Sequence, residues 1–146
     1  MSDVLERFAL LAHLSEGQRR ALSERLDWLV LTPGAHLFDE GDPADALLFL
    51  LEGRVRLVSQ RRRTDGEIGP GSVLGALSLV VDGPREATAE ACTPCRVLRL
   101  ARGDYERLRA SDPAATCRLL EAIVRESALF ARDALAHLVD RSATSQ

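Results

Sequence analysis

Turn-forming residues recur at short intervals through the middle of this chain and limit that region to short strands. Glycine or proline interrupts the sequence at 33–34, 41–43, 53, 69–71, 83–84 and 93–94. The pieces between these positions are short and either alternating or continuously apolar, as strands require. Helical spacing of apolar residues occurs before and after this region. The pattern predicts a β roll, sandwich or barrel with flanking helices.

The composition is that of one globular domain. Hydrophobic residues make up 46% of the 146 residues and aromatic residues only 4%, so an aliphatic core is expected. No apolar run approaches the ~20 residues of a membrane helix, and the acidic N-terminus lacks the basic region of a signal peptide. The net charge of -3 argues against a general nucleic-acid binder. We therefore expect a cytoplasmic protein with no membrane contact.

Periodicity divides this single domain into segments. A first apolar set keeps helical spacing: Leu5, Phe8, Leu11 and Leu14. Ser15 is a favourable N-cap for a second helix over about 16–28. We predict an N-terminal helical segment over 1–30, a β-roll over 31–101, C-terminal helices over 102–140 and a tail over 141–146.

Two hairpins are predicted from tight turns. Glu52 and Gly53 separate the apolar run 46–51 from the alternating segment 54–57. Thr93 and Pro94 separate 87–92 from 96–100. A third, exposed hairpin tip is predicted over 61–66. It holds three consecutive arginines followed by acidic residues, which favours a solvated loop over a phosphate or nucleic-acid patch.

The last predicted helix carries an apolar seam. Asp112 fits the N-cap and Pro113 the first helical position, and the helix is expected to run to about residue 140. Seam residues are spaced by three and four: Leu120, Ile123, Ser127, Phe130 and Ala134. A seam on a helix of ~37 Å is expected to pack against the same helix of a second copy. Packing on the chain's own roll is the alternative.

The stretch 71–86 has the features of a small anion cradle. Gly71 and Gly75 allow backbone N–H groups to turn inward, and a following helix start adds a positive dipole. Arg85 supplies a planar fork of donors for an anion. Ala76 and Glu86 do not suit this role, because a methyl group accepts no hydrogen bond and a carboxylate repels a phosphate.

Metal and catalytic sites find little support. Cys92 and Cys95 have the C-x-x-C spacing of zinc or redox sites, but the three histidines and Cys117 supply no matching pair. Two ordinary cysteines are therefore favoured. A cupin-like enzyme needs clustered histidine ligands, and only His36 lies in the β region. With no Gly-x-Ser-x-Gly elbow either, we expect a non-catalytic protein without metal or cofactor.

A resemblance to a known family is carried by glycines at 41, 53, 71 and 75 and by the segments 37–43, 48–55 and 84–88. The chain resembles the cyclic nucleotide-binding domain. This is the sensor module of catabolite-activator-type regulators, cAMP-dependent kinases and gated channels. The resemblance covers about residues 4–138. It implies a mainly β fold with flanking helices: a jelly-roll-like double-stranded β-helix, N-terminal helices and a long C-terminal helix. The family's phosphate-binding cassette falls on 71–88, which we call the cassette.

The resemblance also assigns site residues. The family's cassette binds the cyclic phosphate with an arginine, here Arg85, and with N–H groups of a short helix, here 75–78. The glutamate that accepts the ribose 2′-hydroxyl falls on Ala76, and Glu86 stands where a small residue is usual. The long helix is expected to place Phe130 over the pocket. The predicted ligand-binding residues are Gly75, Ala76, Leu77, Ser78, Arg85, Glu86, Ala87, Thr88 and Phe130.

Function is predicted from this degenerate cassette. Losing one charged hydrogen bond costs ~1.5–3 kcal/mol, or about tenfold to 150-fold in affinity. We expect a non-catalytic regulatory module that acts through a homodimer or an unknown protein partner, with binding of cAMP or cGMP weakened or lost. A genuine sensor of cAMP, cGMP or another nucleotide-type ligand is the alternative.

Two further expectations follow from the residues around the cassette and at the chain end. Arg85 has a possible internal partner in Glu86 or Asp82, in which case Glu86 fills the cradle. Transcription factors of the family carry a helix-turn-helix after the long helix, and residues 141–146 leave no room for one. We therefore expect no DNA binding by this chain alone.

Overall fold

Short strands fill the middle of the chain, and helices lie on both sides of them in sequence. The structure is a computed structural model that describes residues 2–144. Its helices are α1 Ser2–Leu5, α2 Glu16–Ser23, α3 Arg102–Ser111 and α4 Pro113–Thr144. Its strands are β1 Asp27–Leu31, β2 His36–Phe38, β3 Ala46–Glu52, β4 Val55–Ser59, β5 Thr64–Ile68, β6 Val73–Leu74, β7 Thr88–Ala91 and β8 Cys95–Ala101. Two 3₁₀ turns cover Ala9–Leu11 and Ala76–Leu79.

The described strands form two antiparallel sheets of four strands each. The first sheet has the order β1-β8-β3-β6 and the second β2-β7-β4-β5. In the first, Leu47 lies opposite Leu100, and in the second, Leu57 lies opposite Ala89. The predicted mainly β roll with flanking helices is confirmed.

Strand β3 is buried on both faces, which explains its continuous apolar run. Leu47 and Phe49 belong to a core cluster that includes the helices, and Phe49 packs edge-on against Phe8 with ring centroids 5.0 Å apart. Leu48 and Leu50 belong to a second cluster between the two sheets. Because successive side chains of a strand point to opposite faces, one strand joins both cores.

The N-terminal helices are shorter than predicted. Ser15 caps α2 in a reciprocal arrangement with Gln18, as its sequence suggests. The helix ends at Ser23, and β1 begins at Asp27, so the predicted boundary at residue 30 between helix and roll is wrong. Pairing of β1 with β8 supplies the backbone hydrogen bonds that further helical turns would have made.

The predicted hairpin with its tip over 61–66 forms between β4 and β5, whereas the two predicted at Gly53 and at Pro94 do not. Strands β3 and β4, on either side of Gly53, belong to different sheets, and so do β7 and β8, on either side of Thr93 and Pro94. Both turns carry the chain from one sheet to the other. They also touch: a Cβ at Gly53, where φ is +94°, would meet the Pro94 carbonyl and lie 2.6 Å from the Cys95 sulfur.

Helix α4 begins as the sequence predicts and has two different halves. The Asp112 carboxylate accepts a hydrogen bond from the Ala115 N–H at 3.0 Å. Ile123 is 2% exposed and Leu120 packs on the same core, so this part of the predicted seam contacts the chain's own body, contrary to the prediction of a dimer contact there. Ser127 is half-buried, while Phe130, at 78%, and Ala134 are exposed.

The second half of α4 has little contact with the body of the domain. Residues 128–140 are all exposed, and the helix continues to Thr144 through most of the predicted tail, of which 145–146 lie outside the described residues. Apolar side chains on this half are Leu129, Phe130, Leu135, Leu138 and Val139. In the described part of the chain, no helix combines the length and apolar character needed to cross a membrane.

Candidate functional site

The cassette begins where the short strand β6 leaves the first sheet. Gly75 follows β6 with φ +75° and is directly followed by the 3₁₀ turn Ala76–Leu79. A side chain at Gly75 would meet the Arg85 guanidinium and lie 2.7 Å from the Ala46 carbonyl oxygen. Glycine is therefore required here for its backbone conformation and also for the close approach of Arg85.

Arg85 is the buried centre of the site. It is 7% exposed, and its Nη2 donates to the Ala46 carbonyl at 3.0 Å. The guanidinium carbon stacks 4.3 Å from the centroid of the Phe38 ring. Burial lowers the pKa of Arg85 from its ordinary value, and the charge of Asp45 opposes this shift. Among the described residues, its buried Nε has no hydrogen-bond partner.

Two carboxylates beside Arg85 in the sequence pair with other arginines. Glu86 is exposed and lies 3.4 Å from Arg62, and Asp82 pairs with Arg102. No ion pair joins Arg85 to any carboxylate whose side chain the structure describes, and Asp45 acts on it without forming one. The predicted internal pairing of Arg85 with Glu86 or Asp82 is therefore wrong, and Glu86 does not fill the cradle.

Arg85 is among the residues that line a cavity of about 670 Å³. Its volume is within the usual range of about 300–1,000 Å³ for small-molecule sites. Six predicted site residues line it: Gly75, Leu77, Ser78, Arg85, Glu86 and Ala87. The cassette thus forms one wall of a pocket that opens to the surface.

Three predicted site residues lie elsewhere. Ala76 is half-buried and packs against the helix-side core, so its methyl group takes no part in the cavity wall. The Thr88 hydroxyl accepts a hydrogen bond from the Glu40 N–H at 2.9 Å and thereby links β7 to the loop after β2. Phe130 is exposed on α4 and is not among the cavity-lining residues.

The opposite wall comes from residues that sequence reasoning did not assign. Phe38, Leu57, Arg61 and Arg62 line the cavity, so the arginine-rich turn is part of the site. Glu40 also lines it, and hydrogen bonds from the Ser59 hydroxyl and the Gln60 N–H lower the pKa of its carboxyl. The pairing of β4 with β7, in which Val58 lies opposite Thr88, brings this turn beside the end of the cassette, which no local sequence pattern indicates.

Arg102 holds the cassette from outside the cavity. It is the first residue of α3, and its Nε donates to the Ser78 carbonyl at 3.1 Å. Its Nη2 donates to the Val81 carbonyl at 3.1 Å, and its Nη1 pairs with Asp82. One side chain therefore ties three positions of the cassette to the start of the C-terminal helices.

We expect replacement of Arg102 to loosen the cassette. Arg102→Gln leaves part-buried carbonyl oxygens without their charged donor, so we expect a loss of about 1–3 kcal/mol. For a domain of this size that corresponds to roughly 3–9 °C in Tm, measured by a circular dichroism melt.

The control is Arg107→Gln on the same helix. Arg107 pairs with Asp104 at 2.7 Å on the surface, and its replacement is expected to cost at most about 0.5 kcal/mol. Equal losses in the two variants would contradict the positioning role.

The cysteine pair shows the features of structural residues. Cys95 lies on β8 in the inter-sheet core, and its Sγ is 3.2 Å from the Thr93 carbonyl and 3.4 Å from the Arg54 carbonyl. Burial raises the pKa of the Cys95 thiol. Cys92 is exposed, and within the described residues no group of three or more metal-ligating side chains is present.

A sequence model of the cyclic nucleotide-binding domain matches residues 28–112 of this chain. Among curated proteins, a CRP-like cAMP-activated global transcriptional regulator of Mycobacterium tuberculosis is 28% identical over 131 residues, which cover 86% of this chain and 58% of that protein. A cyclic nucleotide-gated potassium channel of Mesorhizobium japonicum is 33% identical over 103 residues, covering 70% of this chain and 27% of the channel. This chain thus spans less than two thirds of these relatives.

Solved structures agree with this match. The N-terminal domain of a transcriptional regulator from Streptomyces coelicolor A3(2) has a TM-score of 0.78 and 34% identity, covering 91% of this chain and 95% of that one. The catabolite activator protein of Thermus thermophilus has a TM-score of 0.72 and 25% identity, covering 89% of this chain and 62% of that one. Together with the match over 28–112, these likenesses show the fold and the family of this domain. The chain belongs to the cyclic nucleotide-binding domain family.

Proposed function

We propose that this domain is a ligand-responsive regulatory module in which Arg85 holds the anionic group of a small molecule. One observation carries the proposal: Arg85, a cation that is only 7% exposed and has no ion-pair partner among the described residues, lines a cavity of about 670 Å³. A buried charge without a counter-charge is costly, and an anion in the cavity supplies one through charge-assisted bonds. Ligand binding therefore stabilises this site.

cAMP and cGMP are expected to bind weakly. The position that the family uses to accept the ribose 2′-hydroxyl is Ala76, whose side chain packs into the core. The carboxylates on the cavity wall are engaged by other groups, Glu86 by Arg62 and Asp82 by Arg102. A missing charged hydrogen bond lowers affinity by about tenfold to 150-fold. In the version of this module that binds no ligand, Glu86 is expected to fill the cradle, whereas Glu86 pairs with Arg62.

The second half of α4 is the proposed output surface, with a second copy of the chain as its occupant. Exposed apolar or small residues repeat there at spacings of four and three: Val124, Ala128, Ala131, Leu135 and Leu138. This is the pattern of a coiled-coil seam, and the identical seam of a second copy matches it in length and character. Helix α3 packs against α4 and carries Arg102, which joins the cassette to the output helix.

A thermal melt with candidate ligands tests the proposal. Purified protein is heated with and without millimolar cAMP, cGMP and cyclic dinucleotides. A ligand at ten times its Kd adds about 1.4 kcal/mol, which raises Tm by roughly 3–6 °C for a domain of this size. We expect one of these anions to raise the Tm of the wild type and to have no effect on Arg85→Gln.

Arg62→Gln is the matched control for that experiment. Arg62 also lines the cavity, but it is exposed and paired with Glu86, so its loss should leave most of the ligand-induced shift in place. The proposal fails if Arg85→Gln shows the same ligand-induced shift as the wild type. It also fails if no anionic compound of any class shifts the wild-type Tm.

A further inference from the structure

The charged groups on the cavity wall leave one positive charge in excess. Three arginines and three carboxylates line the cavity: Arg61, Arg62, Arg85, Glu40, Asp82 and Glu86. Arg62 pairs with Glu86, and Asp82 pairs with Arg102 outside the wall. Arg61 and Glu40 form no ion pair in the described part of the chain, but their opposite charges offset each other. Arg85 then carries the excess positive charge, which one anionic group would balance.

Neutral polar groups are scarce on the same wall. Ser78 carries the one hydroxyl among the described lining side chains, and no side-chain amide is present there. The uncharged lining side chains other than Ser78 are apolar and include Leu57, Leu74, Leu77 and Val81. Leu77 is 52% exposed and Val81 56%, so a ligand with an apolar body would remove their surface from water.

We infer that the ligand is a hydroxyl-poor, amphiphilic monoanion: an aromatic or acyl body that carries one carboxylate, sulfonate or phosphate group. This inference rests on the proposed function, because it names the ligand class of the same pocket. The anion meets the edge of the Arg85 guanidinium, since the Phe38 ring covers one face of that group. The body lies along the apolar wall. Sugar hydroxyls gain less here, because the carboxylates that could accept from them, on Glu40, Asp82 and Glu86, already have other donors.

The cavity volume sets the size of the body. At about 30 Å³ for each water-sized volume, the cavity of about 670 Å³ holds roughly twenty non-hydrogen atoms. A suitable probe is 8-anilinonaphthalene-1-sulfonate, a fluorescent monosulfonate of this size. Its neutral counterpart, N-phenyl-1-naphthylamine, has the same aromatic body without the sulfonate. The pair isolates the contribution of the single anionic group.

Fluorescence titration of the purified protein with the two probes tests the inference. We expect the sulfonate to bind at least tenfold more tightly than the neutral probe, and Arg85→Gln to abolish this preference. Binding to exposed apolar surface elsewhere, such as α4, does not depend on Arg85 and therefore leaves the comparison intact.

A second variant avoids the risk that loss of the buried Arg85 disturbs folding. Leu77 is exposed, and Leu77→Asp adds a carboxylate to the cavity wall. We expect Leu77→Asp to weaken the sulfonate at least tenfold and the neutral probe much less. Equal affinity of the wild type for the two probes would overturn the inference, and so would a sulfonate affinity unchanged by both substitutions.

Competition separates failure of this inference from failure of the proposed function. If cAMP or cGMP binds in an Arg85-dependent way at least tenfold more tightly than the sulfonate, the pocket is a nucleotide-binding site. The inference is then wrong and the proposed function stands. If neither class of anion responds to Arg85→Gln, both are wrong. If the sulfonate binds through Arg85 and micromolar cyclic nucleotides do not displace it, the inference is supported.

Discussion

Gly75→Ala is expected to destabilise the domain strongly and to abolish ligand binding at Arg85. An alanine at φ +75° adopts the left-handed conformation at a cost of about 1–2 kcal/mol. Its Cβ would also lie 2.7 Å from the Ala46 carbonyl oxygen and 2.9 Å from the Ser78 hydroxyl. Relieving such contacts typically costs a further ~1–3 kcal/mol. The summed loss lowers Tm by roughly 6–15 °C in a circular dichroism melt.

Gly71→Ala is the matched control in the same cassette. Gly71 has φ +94°, but a Cβ there would meet no atom within 4 Å. Its replacement therefore incurs the conformational cost alone, about 1–2 kcal/mol. The difference in Tm between the two variants reports the cost of the steric contacts that a Cβ makes at Gly75 and not at Gly71.

Ligand response distinguishes the two glycines further. The Cβ of Gly75→Ala would meet the Arg85 guanidinium itself, so this variant should lose the ligand-induced Tm shift. Gly71→Ala should retain the shift. If both variants lose the same stability and the same ligand response, Gly75 has no special relation to Arg85.

The sequence predicts the roll and the cassette because both depend on local backbone chemistry. Recurrent glycine and proline residues mark the ends of the strands, and Gly75 has the positive φ expected at the start of the cradle. The apolar run 46–51 predicts a buried strand, and β3 has one face in each core. These features follow from residues that are neighbours in the chain.

The pairing of strands and the partners of charged residues could not be predicted in the same way. A turn at Gly53 shows that the chain changes direction, but the sheet that receives the next strand depends on packing between distant segments. The partner of Glu86 is Arg62, which the pairing of β4 with β7 brings to the cavity from a separate part of the chain. Sequence reasoning that considered only the neighbours of Glu86 therefore chose Arg85.

The same substitution at two adjacent residues of α4 is expected to have different effects, on folding at one and on self-association at the other. Ile123 is 2% exposed in the helix-side core, whereas Val124 is 66% exposed at the start of the proposed seam. Ile123→Glu buries a carboxylate without a partner, at a cost of several kcal/mol. Since domains are stable by only about 5–15 kcal/mol, we expect a Tm lower by more than about 10 °C or no cooperative melt at all.

Val124→Glu should leave folding intact and abolish self-association. Exposed substitutions away from special features usually change stability by at most about 0.5 kcal/mol, whereas a like-charged pair of glutamates at a helix seam opposes dimer formation. Sedimentation velocity gives the oligomeric state, and a circular dichroism melt at low protein concentration gives the fold.

Glu126→Lys, on the opposite side of α4, is the control and should remain dimeric. A Val124→Glu variant that stays dimeric would place the contact on another face. A wild type that is monomeric at all concentrations would instead mean that the exposed half of α4 has a different partner from a second copy of this chain.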